Sequence, residues 1–467
     1  MATAQAHADR LVVFGITGDL AKKMTLPSLY RLESDGTLTC PIIGVAFEDW
    51  SLEQLQAHTR EMVRAAAREQ GRAVDEAVLD RLCARMTAYV GGDFTDPGLY
   101  SRLAGHMAGA TSPVFYLEIP PSLFGPVVQQ LGAAGLTHEP ARVVVEKPFG
   151  TDLASARELE RSLHAVISED QLFRIDHFLG KEPVQDITFL RFANALFEPM
   201  WNNRYVDSIQ VTMAEDFGVE DRGSFYDKVG TLRDVVQNHL LQVIALVLME
   251  PPGPGPDAVA ERKLEVFQAM HPIDVHGAVR GQYEGYRGIP GVATNSDQET
   301  FVALRLAVES WRWSGVPILV RAGKRLPTTA TEVVVRMKSV PRMFMGGRHW
   351  NVPGHNDIVL RIGADAGVDI GIRVKSPGAA MTQPVDVSLD FESALGDPPT
   401  PYERLLADAI HGEHQLFPRW DAVERTWEIV TPLLESPPPV QTYAPGSWGP
   451  AAADALASRH GGWRAPH

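Results

Sequence analysis

The stretch LVVFGITGDLAKK, Leu11 to Lys23, runs from a short apolar segment through two glycines three positions apart into a helical pattern. Gly15 and Gly18 let a backbone turn tightly and approach a ligand. A helix starting just after them aims its first amide groups, and the positive end of its dipole, at a pyrophosphate. The motif is G-x-x-G-D, short of the full G-x-G-x-x-G, and no G-K-[S/T] follows, so it is not a Walker loop. Alone it also fits an ordinary strand-to-helix turn. The sequence around it narrows the choice. IIGVAF (42–47) reads as a second strand, followed by a helix from Ser51, with Gln54 placed to complete a capping box. VFYLEIPP with VVQQLGAAG, and then RVVVEKPFG, repeat the strand–helix alternation. This predicts a parallel sheet covered on both faces, a Rossmann-like α/β dinucleotide-binding domain.

At 467 residues the chain exceeds one ordinary core. From about Phe173 the texture changes to alternating runs such as DSIQVTMAED, ETFVALRLAV and EVVVRMK, which suit half-buried antiparallel strands. Among them lies KVGTLRDVVQNHLLQVIALVLM, a strong helical pattern. The expected division is a dinucleotide-binding domain, 1–173, and a larger substrate-binding α+β domain with a mostly antiparallel sheet, 174–467. A net charge of −15, from 43 basic and 58 acidic residues, argues against nucleic-acid or anionic-membrane partners. Two cysteines, Cys40 and Cys83, have no metal-ligand spacing. The longest apolar run, Val243 to Met249, is too short to cross a bilayer, and the N-terminus lacks a signal-peptide pattern. The chain reads as a cytoplasmic enzyme.

An acidic protein that binds an anion needs a locally basic pocket, and FRIDHFLGKEP (173–183) offers one in His177 and Lys181, with no such role assigned to Arg174; the same stretch also fits a strand end, a turn and a solvated helix start. Glu146 and Lys147 stand at the carboxyl end of a strand, where open α/β sheets bind ligands, and Pro148 holds Lys147 extended. TLRDVVQNHLLQ carries Asp234 and His239, about 140° apart on an ideal helix, so Asp234 is badly placed to orient the imidazole. If His239 is a general base, its carboxylate partner is expected elsewhere, with Asp176 the candidate. Glu215 and Lys324 each end a predicted strand. Together these groups suit a polyhydroxylated anionic substrate: carboxylates accept from hydroxyls, cations hold a phosphate, and a neutral imidazole takes a proton. In the cofactor turn, Lys22 and Lys23 are possible phosphate partners. Glu48 and Asp49 follow the second strand, where an acid binds the 2′-hydroxyl of NAD and an Arg receives the 2′-phosphate of NADP.

GITGDLAKK, EKPFG, RIDHFLGKEPVQ, LRFAN, RDVVQNHLLQ and VPILVRAGKRL, in this order, resemble the glucose-6-phosphate dehydrogenase family, and the likeness continues through YERLLADAIHGEHQLF, TPLLE and GSWGP. The resemblance implies an oxidoreductase acting on β-D-glucose 6-phosphate at C1. The product is 6-phosphoglucono-δ-lactone, hydride goes to NADP with NAD also possible, and this is the first step of the oxidative pentose phosphate pathway. It further implies His239 as base, Asp176 as its partner, and Lys147 positioning both sugar and nicotinamide. By the same likeness His177 and Lys181 hold the phosphate, and Glu215, Asp234 and Lys324 the sugar hydroxyls. Gly15, Gly18, Asp19, Leu20, Lys22 and Glu48 line the cofactor site. No metal is expected, and a homodimer or dimer of dimers is, built on the second domain's sheet.

The chain departs from the family at Phe47 and Glu48, where an Arg usually follows the second strand, which weakens discrimination for NADP. Phe178 replaces a Tyr and loses a hydroxyl. Thr329 replaces a basic residue, leaving Arg325 as the neighbouring cation. Ala330, where a phosphate-contacting Lys is expected, argues against a second, structural NADP site, which Arg361 alone would not make. Two rival readings are a relative acting on another aldose phosphate or free glucose, and a non-catalytic sensor of the same ligands.

Overall fold

The computed structural model describes residues 7–340, 343–345, 348–350, 354–363, 365–378, 382–396 and 398–466. The chain forms two compact units. One runs to Lys181 and also takes in Gly253–Ala260 and Pro399–Glu424; the other comprises Glu182–Pro252, Glu261–Pro398 and the chain from Arg425 onward.

The first unit is built on six parallel strands: β1 (Arg10–Phe14), β2 (Ile42–Ala46), β3 (Met86–Gly91), β4 (Pro113–Leu117), β5 (Arg142–Glu146) and β6 (Leu172–Ile175). Their order is β3-β2-β1-β4-β5-β6. β2, β4 and β5 are buried along their whole length, because helices cover both faces and leave no side for polar residues. Successive residues of β1 alternate between two cores. Leu11 and Val13 pack with α1 (Leu26–Ser34), α2 (Leu52–Glu69) and α3 (Glu76–Arg85), and Val12 and Phe14 with α4 (Pro97–His106), α5 (Phe124–Ala133) and α6 (Leu153–His164). The expected capping box starts α2: the Gln54 amide N–H donates to Ser51 Oγ at 3.3 Å, and Gln54 Oε1 accepts from the Ser51 N–H at 2.7 Å. Strand order reverses between β1 and β4, which opens the crevice at their carboxyl ends.

The domain boundary expected at 173/174 falls inside β6, so it moves to Lys181. The first unit also gains the helix Pro401–His411, whose Leu405, Leu406, Ala409 and Ile410 enter the Leu11 core. Arg142, at the start of β5, donates to the carbonyls of Ala409 and Ile410 at 3.2 and 3.1 Å. Contacts so distant along the chain leave no local trace in the sequence.

The second unit holds a nine-stranded sheet made of β7 (Val206–Ala214), β8 (Ala278–Tyr283), β9 (Phe301–Leu306), β10 (Ile318–Gly323) and β11 (Ala330–Met337), with β14 to β17. The short pair β12 (Met343–Met345) and β13 (Arg348–Trp350) stands apart. β14 (Asp357–Arg361), β15 (Gly367–Lys375), β16 (Thr382–Asp390) and β17 (Val440–Tyr443) complete the order β16-β15-β14-β11-β7-β10-β9-β8-β17. Among the described residues only β7 with β10, and β8 with β17, pair in parallel; the other pairings are antiparallel, as expected. α7 (Glu182–Phe192) precedes β7. The long helical pattern after it is broken at Gly230, φ +67°, into α8 (Gly223–Thr231), a π-wound segment Leu232–Leu240, and α9 (Leu241–Leu248). The buried end of α9 has its carbonyls satisfied from outside: Arg191, Trp201 and Trp313 donate to Leu246, Val247 and Leu248 at 2.9, 2.7 and 2.7 Å. Among the described residues no helix is long and apolar enough to cross a membrane.

Candidate active site

In the first unit the glycine turn takes the form its sequence requires. Gly15 has φ +80°, and a methyl group there would lie 2.2 Å from the Glu118 carbonyl oxygen, a backbone atom that cannot give way. The Gly18 N–H donates to the Gly15 carbonyl at 2.8 Å and closes the turn; the helix begins at Asp19 and is π-wound from Ala21 to Thr25. Leu20 lies in its first turn, and Lys22 sits 3.5 Å from the exposed Asp19 carboxylate. A flat turn at a helix N-terminus, with no room for a side chain on Gly15, fits a dinucleotide pyrophosphate. Just past β2, Glu48 Oε2 accepts the Thr17 hydroxyl at 2.7 Å, which ties the acid to this turn, and Phe47 is 64% exposed.

The carboxyl ends of β4, β5 and β6 carry the next groups. Glu146 is buried and accepts the Tyr116 hydroxyl at 2.7 Å; burial pushes its carboxyl up to about 7, against the pull of Tyr116 and of the next residue, Lys147. After β6, Asp176 is 3% exposed, and its Oδ1 accepts the Phe178 N–H at 3.0 Å, fixing the turn on which His177 stands. The Lys181 ammonium lies 3.7 Å from the centre of the Phe178 ring, a cation–π contact. Burial lowers the Lys181 pKa, opposed by Asp176. Arg174, of the same motif, is a structural residue: it is buried and bonded to Glu160 at 2.5 Å and Glu169 at 2.8 Å.

In the second unit the parallel pairing of β7 with β10 sets Ala214 opposite Gly323, so the residues that follow come together. Lys324 Nζ lies 2.5 Å from Glu215 Oε2, and also faces the rings of Phe217 and Tyr226 at 5.0 and 5.2 Å. Burial raises the Tyr226 hydroxyl well above its usual range, and the charges of Asp234 and Glu215 add to the effect. Thr329 is bonded to Asp216 in both directions, at 2.5 and 3.1 Å, and Arg325 turns to Glu220 at 3.2 Å. Asp234 and His239 both belong to the π-wound segment, and His239 is 1% exposed.

One expectation is corrected here. The 140° separation of Asp234 and His239 assumed α winding. In the π form an i→i+5 bond sets residues five apart about one turn apart, so the two stand on the same side of the helix. The sequence reading also passed over Glu118, at the carboxyl end of β4. Its Oε1 accepts the Thr25 hydroxyl, and burial pushes its carboxyl up to about 8. The signal was present in YLEIPP, an acid at a strand end like that of EKPFG.

Two family models match, described as the NAD binding domain of glucose-6-phosphate dehydrogenase over residues 12–186 and its C-terminal domain over residues 188–464. A Mycobacterium tuberculosis protein named glucose-6-phosphate 1-dehydrogenase 1 is 51% identical over 463 residues, 98% of this chain and 97% of the relative. The crystal structure of glucose-6-phosphate 1-dehydrogenase from Mycobacterium avium is similar with a TM-score of 0.89 at 50% identity, covering 98% of this chain and 99% of that one. A glucose-6-phosphate dehydrogenase solved in complex with its substrate glucose 6-phosphate matches with a TM-score of 0.89 at 34% identity, over 100% of both chains. The glycine turn, the strand-end groups and the buried histidine thus stand on a chain that belongs to the glucose-6-phosphate dehydrogenase family.

Proposed function

We propose that this chain oxidises β-D-glucose 6-phosphate at C1 to 6-phosphoglucono-δ-lactone. His239 takes the proton of the C1 hydroxyl and Asp176 stabilises the imidazolium that results. His177 and Lys181 hold the phosphate, whose negative charge compensates the ammonium that burial otherwise disfavours. Glu215, Asp234 and Lys324 bind sugar hydroxyls, and Lys147 positions the sugar against the cofactor. The nicotinamide, when bound, accepts the hydride that leaves C1. Gly15, Gly18, Asp19, Leu20 and Lys22 receive the dinucleotide.

The cofactor is NADP, with NAD also accepted. Phe47 occupies the position of a 2′-phosphate-binding Arg, while Glu48, tied to the glycine turn through Thr17, suits a free 2′-hydroxyl. The protein works in the cytoplasm, as a homodimer or a dimer of dimers. Ile372, Val374, Val385, Val387 and Leu389, exposed on the paired strands β15 and β16, support a partner on that sheet.

The observation that carries the proposal is the buried His239, one π turn from Asp234, in a chain similar to named dehydrogenases along nearly its whole length. Initial rates of reduced nicotinamide formation, with saturation curves for NADP and NAD, test it. The wild type turns over glucose 6-phosphate with both. His239→Asn loses kcat by about 10²–10⁴-fold while still binding glucose 6-phosphate. A variant as active as the wild type removes His239 as the base, and a wild type silent with both nucleotides overturns the substrate.

A further inference from the structure

The helix that carries Asp234 and His239 is capped by a residue far along the chain. At Gly230, φ +67°, the chain leaves α8, and Thr231 opens the π-wound segment without a side-chain hydrogen bond to its first turn. The first amide groups of a helix then need acceptors from elsewhere. Glu299 supplies two. The Thr231 N–H donates to the Glu299 carbonyl at 3.2 Å, and the Leu232 N–H donates to Glu299 Oε1 at 3.2 Å. The carboxylate also meets the positive end of the helix dipole. Gly230 lets it come so close, since a methyl group there would lie 2.5 Å from Oε1.

Glu299 is 3% exposed, and its other oxygen is held as firmly. Oε2 accepts from Arg280 Nε and Nη2 at 3.2 and 2.9 Å, and from Gln298 Nε2 at 2.8 Å. Arg280, on β8, is itself fixed by the carbonyls of Asp297 and Pro438 at 2.9 and 3.1 Å. Donors therefore reach both ends of the carboxylate. A neutral amide of the same shape cannot satisfy them, because one of its ends would set N–H against N–H. The next residue, Thr300, accepts the Lys324 N–H on its carbonyl at 2.9 Å, beside the pairing of Phe301 with Gly323. Two adjacent residues thus hold the start of the Asp234–His239 helix and the strand end that carries Lys324.

We propose that Glu299 is a positioning residue of the sugar-phosphate site: spanning Arg280 and Leu232, it fixes where Asp234, in the first turn, and His239, one π turn beyond, stand relative to Lys324. This rests on the dehydrogenase reading of those three residues. Glu299 acts through the helix and not on the reacting atoms.

Steady-state rates with glucose 6-phosphate and NADP or NAD, taken well below the Tm of each protein, test it. In Glu299→Gln the amide oxygen turns to Arg280, where the charged hydrogen bond is the stronger, and Leu232 loses its acceptor. The variant loses kcat about tenfold and raises the KM for glucose 6-phosphate by about three- to tenfold. The KM for the nucleotide stays within about twofold, because the glycine turn belongs to the other unit. A merely structural loss lowers Tm or the active fraction and leaves both KM values in place. That result overturns the proposal, and so does an equal rise in both KM values. Should Glu299→Gln fail to fold, Glu299→Asp keeps a carboxylate for Arg280 but is one methylene too short to reach Leu232 as well. It shows the same split in KM, and wild-type kinetics in it overturn the proposal. A wild type that oxidises no glucose 6-phosphate with either nucleotide overturns the dehydrogenase reading, and this proposal with it.

Discussion

Lys181 keeps its ammonium over the face of Phe178, 3.7 Å from the ring centre, and burial lowers its pKa. An anion arriving there meets a cation that is already positioned and poorly solvated, so the contact is a charged hydrogen bond worth about 1.5–3 kcal/mol. Lys181→Ala therefore raises the KM for glucose 6-phosphate about ten- to hundredfold with a smaller change in kcat, read from steady-state rates. Phe178→Tyr keeps the aromatic face and adds a donor. It lowers that KM by about three- to tenfold, and an unchanged KM shows that the added hydroxyl does not reach the phosphate. Both roles follow from FRIDHFLGK as read in the sequence. The cation–π contact does not, because residue spacing says nothing about which rotamers a turn selects.

The helices that follow the two strained glycines are both π-wound, Ala21–Thr25 after Gly15 and Gly18, and Leu232–Leu240 after Gly230. Each holds residues assigned to the proposed site, and π turns concentrate at functional sites. Gly230 admits no side chain: a methyl group there would lie 1.9 Å from Gln298 Nε2 and 2.5 Å from Glu299 Oε1. Gln298 can swing aside, but Glu299 is held by Arg280 at 2.9 Å. Gly15 is less tolerant still, because its obstacle is backbone. Gly15→Ala is expected to weaken NADPH binding by at least about a hundredfold in a fluorescence titration and to leave glucose 6-phosphate binding in place. Equal loss of both ligands would mean that the substitution unfolds the unit.

Across the whole molecule, buried acids set the response to pH. Glu118, Glu146 and Glu332 are raised by burial to about 8, 7 and 7. Each is protonated in the folded chain at a pH where the unfolded chain has already released its proton. Their stabilising effect is complete below the ordinary carboxyl range and is lost as pH rises to the folded values. Tm should accordingly fall between pH 6 and pH 8 and then level off for these groups, with a shallower slope in Glu118→Gln, as differential scanning calorimetry would record. On the outer strands of the large sheet, Val387→Asp places a charge in the exposed apolar stripe, where Val387 is 53% exposed. By light scattering the wild type is expected to be at least a dimer and the variant a monomer, and an unchanged mass would remove this face as the interface.

The alternation of apolar runs with helical patterns determined the parallel sheet without help from the rest of the chain, because a strand buried on both faces must be apolar throughout. The sequence likewise placed Gly15, Lys147, His177, Glu215 and Lys324 at strand ends or turns, since strand ends and glycines are local features. Three things depended on the tertiary structure. The winding of Leu232–Leu240 sets Asp234 and His239 one turn apart, and residue periodicity does not distinguish α from π. The return of Pro401–His411 to the first unit rests on burial against Leu11 and on Arg142, contacts too distant in sequence to leave a pattern. The enclosure of the Glu118 carboxyl is decided by its neighbours: the residue is half-buried, and only those neighbours seal its Oε2 from solvent.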